Sequence, residues 1–105
     1  MTKFAFIYTG GNPPASKEEG MAHMARWQEW AQGLGTAYVF PGMPFSNLTA
    51  VSSTGVRNDL ESPKLAGVSV VEAASMEEAQ KMAASCPHLN LGGEIIVAEG
   101  MDMPM

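Results

Sequence analysis

Twice along the chain, an apolar run rich in β-branched and aromatic residues leads through a turn into Ser-x-Glu-Glu and a stretch of helical periodicity. Twice the chain then returns through a second apolar run. The helix starts are Ser16-Lys17-Glu18-Glu19 and Ser75-Met76-Glu77-Glu78. A serine followed three residues later by glutamate lets each side chain satisfy a free amide of the first helical turn, so both sites mark helix N-termini. The order strand–helix–strand, linker, strand–helix–strand is the split βαβ pattern. It predicts one ferredoxin-like α+β domain over residues 1–105, a length that suits a single domain. Right-handed crossovers place both helices on one face of a four-stranded antiparallel sheet.

The predicted elements follow from periodicity and punctuation. Lys3 to Thr9 (KFAFIYT) is a strand stopped by Gly10-Gly11. The first helix runs from the Ser16 cap to about Leu34, with Gly33 and Gly35 ending it and Met24, Trp27, Ala31 and Leu34 as its buried stripe. Thr36 to Phe40 is a second strand, ended by Pro41-Gly42. Residues 43–64 read as an extra loop or edge hairpin with a short strand near Leu48 to Ser52. Ala66 to Ala73 is a strand. The second helix runs to about Ser85 or Cys86, closes at Pro87, and buries Ala79, Met82, Ala83 and Cys86. Glu94 to Glu99 is the last strand.

Strand polarity then constrains assembly. Two helices shield one sheet face, yet FAFIY, VSVV and IIVA are apolar on both faces, where a half-wetted sheet alternates apolar with polar. An open apolar face of that size is rare on a monomer. The expectation is a homodimer packed sheet to sheet, a dimeric α+β barrel with two-fold symmetry. The alternative is a face covered by the chain's own linker and tail.

Charge excludes some partners. The net charge is −5, and Lys3, Lys17, Arg26, Arg57, Lys64 and Lys81 never cluster. No basic footprint for nucleic acid or an anionic membrane surface exists. No stretch approaches the ~20 apolar residues of a membrane span, and the apolar run before Gly10 is too short for a signal-peptide core. A single cysteine, Cys86, rules out an intrachain disulfide. The expected location is cytoplasmic.

No metal-ligand spacing and no phosphate loop stand in the sequence, so no cofactor is expected. The tail methionines Met101, Met103 and Met105 are soft ligands of the kind copper(I) takes, but a dangling or packed apolar tail accounts for them much better. Cys86-Pro87-His88 suggests an activated thiol, against which stands the place of Cys86 on an apolar stripe. His23 sits at the edge of the first helix's stripe, where a half-buried imidazole transfers protons near neutral pH; the alternative is a boundary histidine satisfied by a carbonyl or water. Trp27 and Trp30 lie three apart, so both can flank one stripe. Trp27 is expected toward the core and Trp30 toward a groove or dimer contact, with plain packing of both as the alternative. The hydroxyls of Tyr8 and Tyr38 could reach a cavity at the sheet end.

Taken together, the opening strand ending in Tyr8, the helix with Trp30 near its end, Pro41-Gly42, and Glu78-Ala79 leading to Cys86-Pro87-His88-Leu89 resemble the YCII-related proteins, including the DGPF-domain branch. The likeness covers nearly the whole chain. It implies a dimeric α+β barrel and a small-molecule enzyme, some members being similar to dehydrochlorinases of hydroxylated aromatics. One branch carries a His–Asp pair, and His23 matches that histidine. Thr36 to Ser46 holds no acid to match the aspartate, and Arg57 to Lys64 replaces the DGPF tetrapeptide.

Two functions follow as expectations. The first is a cofactor-independent enzyme, eliminating or isomerising a small, uncharged or aromatic molecule. His23 would be acid or base, Tyr8 or His88 a hydrogen-bond donor, and Trp27 or Trp30 an apolar wall. The second is a non-catalytic small-ligand binder or dimeric accessory module.

Overall fold

A computed structural model describes residues 1–58, 60 and 64–101. Asp59, Glu61 and the tail methionines Met103 and Met105 lie outside the described residues. The order is β1 (Thr2–Gly10), α1 (Lys17–Leu34), a 3-10 turn at Gly35–Ala37, β2 (Tyr38–Pro44), β3 (Ala50–Ser52), β4 (Gly55–Arg57), β5 (Leu65–Ala73), α2 (Met76–Ala84), a 3-10 turn at Pro87–Leu91 and β6 (Gly93–Glu99). The main sheet runs β2-β5-β1-β6 and every pair is antiparallel. Two βαβ halves interleaved in this order are the ferredoxin-like arrangement.

Both helices begin as the serines dictate. Ser16 Oγ accepts from Glu19 N at 3.1 Å, and Ser75 Oγ accepts from Glu78 N at 3.2 Å. The glutamates reach back to the backbone amides of Ala15 and Ala74, one residue before each cap. α2 ends at Ala84, and Cys86 caps the 3-10 turn that opens with Pro87.

The core lies between the helices and one sheet face. Phe4, Phe6 and Tyr8 of β1 alternate inward and meet Val71 and Ala73 of β5, Ala79 and Ala83 of α2, and Cys86. α1 contributes Trp30, 8% exposed, whose Nε1–H donates to the Met82 carbonyl at 3.0 Å. The expected stripe on α1 is therefore corrected. Trp30 takes the core place assigned to Trp27, which is only partly buried, and Met24 is 66% exposed. The helix is rotated so that Trp30 points down at the sheet and Trp27 points toward its end.

β2 also departs from expectation. Pro41-Gly42 does not end the strand but forms a bulge within it, and pairing resumes at Met43↔Val68. β2 is an edge strand, where a missing amide is tolerated. Gly42 has φ 81°, and a Cβ there would overlap the Val68 carbonyl, so the chains approach as only glycine permits. The expected hairpin is present as β3–β4, a separate two-stranded sheet. Its paired Val51 and Val56 are 77% and 67% exposed.

The second face of the main sheet carries Ala5, Ile7, Val68, Val70, Ile96 and Ala98 in register, and both helices of the described residues pack on the other face. Phe40 and Ile96 are each 46% exposed. The chain exposes 7535 Å². Its mass of 11.1 kDa corresponds to roughly 5,700 Å² for a self-contained monomer. No helix among the described residues is long and apolar enough to cross a membrane.

Candidate functional site

At the end of the sheet where β1 finishes and β5 begins, α1 stands off and leaves a cleft of about 460 Å³. α1 supplies His23, Met24, Trp27 and Gln28, the sheet supplies Tyr8, Tyr38 and Ser69, and the turn before β6 supplies His88. The bulge Pro41–Pro44 and Ala66–Val68 close the remaining side. None of the described lining residues carries a carboxylate, an ammonium or a guanidinium.

The walls are aromatic and mutually braced. Tyr8 lies edge-on to Trp27 at 5.3 Å and to His88 at 5.4 Å between ring centres. Trp27 lies edge-on to Trp30 at 5.3 Å, and Trp30 to Tyr38 at 5.5 Å. Such pairs are worth about 0.5–1.5 kcal/mol beyond their buried area. They also fix ring directions around the cleft.

On the sheet side three hydroxyls gather, and two of them meet one carbonyl. Tyr8 Oη donates to Ser69 Oγ at 3.0 Å, Ser69 Oγ donates to the Pro41 carbonyl at 2.8 Å, and Tyr38 Oη donates to the same carbonyl at 3.1 Å. Tyr38 Oη also lies 3.1 Å from Ser69 Oγ. Burial, the largest influence, raises the Tyr8 pKa well above the ordinary phenol value, so Tyr8 keeps its proton. The bulge that carries Gly42 is what brings the Pro41 carbonyl to these hydroxyls.

His88 is held rigidly. Its Nε2–H donates to the Thr9 carbonyl at 2.9 Å, and it is 7% exposed. Two glycines back the ring. A Cβ at Gly93 would overlap Nε2, and one at Gly11 (φ 89°) would come within 3.0 Å of Cε1.

His23 is half-buried on α1, one turn before Trp27. Trp27 Nε1–H donates to His23 Nε2 at 2.7 Å. Side chains on a helix lean toward its N-terminus, so the indole at i+4 naturally reaches back to i. His23 Nδ1 is buried and has no hydrogen-bond partner among the described residues. Burial lowers the His23 pKa below 6.5, and the charges of Arg26 and His88 lower it further.

Of the residues singled out in the sequence, Tyr8, His23, Trp27, Tyr38 and His88 converge on one cleft. Trp30 does not line it but packs behind it in the core. Ser69 and the glycines behind His88 went unnoticed. The signal for Ser69 was a lone hydroxyl on the inward face of VSVV. Cys86 is 2% exposed, and burial pushes its thiol up to about 11, which leaves it an inert core residue. Among the described residues no group of three His, Cys, Asp or Glu is placed to hold a metal ion.

A model of the YCII-related domain matches residues 3–99. Among solved structures, 5-chloro-2-hydroxyhydroquinone dehydrochlorinase (TftG) from Burkholderia phenoliruptrix AC1100, in complex with 2,5-dihydroxybenzoquinone, superposes with a TM-score of 0.54. The two are 18% identical over 90% of this chain and 89% of that one, a likeness of fold. No curated protein sequence matches.

Proposed function

The chain belongs to the YCII-related family, and from that premise we propose that it takes a small, uncharged, flat aromatic molecule into the cleft beneath α1. There it eliminates or isomerises that molecule by proton transfer alone. The observation that carries this reading is the lining: aromatic walls, the imidazoles of His23 and His88, and no formal charge among the described lining residues. Such a site suits a neutral ring, because an ionised ligand would lose its hydration with no opposite charge to receive it. His23 is the acid or base once Trp27 Nε1–H releases its Nε2, His88 and Tyr8 orient the ligand, and Trp27 is its apolar wall. A dehydrochlorinase sharing the fold makes a chlorinated hydroxyhydroquinone the first substrate to try.

The reading includes a homodimer through the open sheet face. That face is apolar in register, with Ile7 between Val68 and Ile96 and with Phe40 and Ile96 each 46% exposed, and a second copy would cover it. Shared barrel closure would follow from that packing. A binding module without turnover is the second reading, and one observation favours it: none of the described lining residues offers a carboxylate to raise the basicity of His23.

Chloride release from chlorinated hydroxyhydroquinones, measured with the wild type and His23→Ala, tests the proposal. Turnover that disappears in a folded, dimeric variant is the expected result. Turnover retained in the variant removes His23 from the chemistry, and binding without turnover in the wild type moves the protein to the second reading.

A further inference from the structure

We infer that His88 selects the ligand by accepting a hydrogen bond: its Nδ1 lone pair receives the O–H of a hydroxyl on the aromatic ring, so the cleft prefers a phenol to the matching ether. The inference rests on the reading of the cleft as a site for a small neutral ring, and it names the chemical group that such a ring must carry.

The His88 tautomer follows from its partner. A carbonyl oxygen only accepts, so Nε2, 2.9 Å from the Thr9 carbonyl, carries the proton. In the neutral ring the lone pair is then on Nδ1. The packing around the ring leaves that atom open. Gly93 stands against the Nε2 vertex and Gly11 against Cε1. Nδ1 makes no hydrogen bond among the described residues. Yet His23 Nδ1 is the one buried side-chain nitrogen or oxygen among them without a partner. His88 Nδ1, equally unpartnered, is therefore an accessible atom of a residue that is only 7% exposed as a whole. The ring lines the cleft, and the lone pair is offered there.

The other polar hydrogens of the lining are spent within the protein. Trp27 Nε1–H goes to His23 Nε2, which leaves the neutral His23 ring its proton on Nδ1, buried away from the cleft. Tyr8 donates to Ser69 Oγ, and Ser69 and Tyr38 donate to the Pro41 carbonyl. Among the ring and hydroxyl groups of the described lining, lone pairs alone are left for a ligand. The exposed Gln28 amide has both a donor and an acceptor, so it discriminates neither. An imidazole nitrogen is a stronger acceptor than a phenol oxygen, which makes His88 Nδ1 the best place for a ligand hydroxyl. An ether in the same position brings no proton, and Nδ1 would lose its water and gain nothing. His88 is thus a specificity-determining residue, and the Thr9 carbonyl acts through it by fixing the tautomer.

p-Cresol and 4-methylanisole, which differ in a single O–H, are titrated at pH 8 into protein labelled with ¹⁵N in its histidines. The ligand-free wild type should show His88 protonated on Nε2, with a pyridine-type Nδ1. It should bind p-cresol about tenfold more tightly than the ether, and the Nδ1 resonance should move upfield with p-cresol alone. His88→Phe should lose the preference while still binding both rings. A ligand-free His88 protonated on Nδ1 overturns the inference and leaves the reading of the cleft standing. Equal binding of the two rings with an unmoved Nδ1 does the same. If neither ring binds, the inference and that reading fall together. These wild-type measurements decide the matter even where His88→Phe does not fold, and a preference retained in the folded variant also overturns the role of His88.

Discussion

Trp30 Nε1 donates to the main-chain carbonyl of Met82 at 3.0 Å, tying the C-terminal part of α1 to the last turn of α2. Met82 is among the residues whose carbonyls lack an intrahelical amide, and Ser85 Oγ also donates to it at 3.1 Å. Trp30→Phe removes the indole donor and part of the core volume. The expected loss is about 2 kcal/mol, read from urea unfolding, with ligand binding little changed because Trp30 stands behind the cleft. A variant as stable as the wild type would show that the bond contributes nothing.

Acid should weaken the fold through His23. Its folded pKa lies below 6.5, so it contributes nothing while neutral in both states at higher pH. As the pH falls through 6.5 the unfolded chain takes the proton first, and stability declines until the folded pKa is reached. Below that point this contribution levels off. Unfolding measured from pH 8 to 5 should show the decline, and His23→Gln should flatten it. An identical pH profile in His23→Gln assigns the decline to other groups.

Adding a methyl at Gly93 should displace a side chain that sits elsewhere in sequence. Gly93 lies directly against His88 Nε2, the atom that donates to Thr9. Gly93→Ala should cost about 1–3 kcal/mol by overpacking and should shift the His88 ring resonances, while Gly33→Ala, which meets open space, should do neither.

Dimerisation depends on the uncovered face. Ile7 sits at its centre, paired with Val68 on one side and Ile96 on the other. Light scattering should return twice the 11.1 kDa chain mass for the wild type. Ile7→Lys should dissociate the pair. A wild-type mass of one chain, with folded spectra, would falsify the dimer.

Cys86 should behave as a core residue. Its thiol, pushed up to about 11 and 2% exposed, should react with a disulfide reagent at neutral pH only once the protein unfolds. Cys86→Ala should retain ligand binding. Fast labelling of the folded protein would return Cys86 to the list of active groups.

What could be read from the sequence was local. The two Ser-x-Glu-Glu starts carry their own geometry, because a cap needs only residues within one turn. The alternation of Phe4, Phe6 and Tyr8 likewise follows from the pleat alone. The allocation of Trp27 and Trp30 was not legible. Three residues apart, they differ only in how the helix is rotated over the sheet, which distant residues such as Met82 decide. The Pro41-Gly42 bulge was hidden for a related reason: that dipeptide usually stops a strand, and only its place at the sheet edge lets pairing continue. The site was half legible. Tyr8, His23 and His88 announced themselves by residue type, whereas Ser69 matters only through neighbours far along the chain and Gly93 only through the turn that folds His88 back against it.

The β3–β4 hairpin keeps its own ladder, apart from the main sheet. Its turn at Ser53-Thr54 is therefore a natural place to splice in a reporter or an affinity sequence. A dye carried there would follow the tumbling of the whole particle without disturbing either helix, and its anisotropy would report assembly directly.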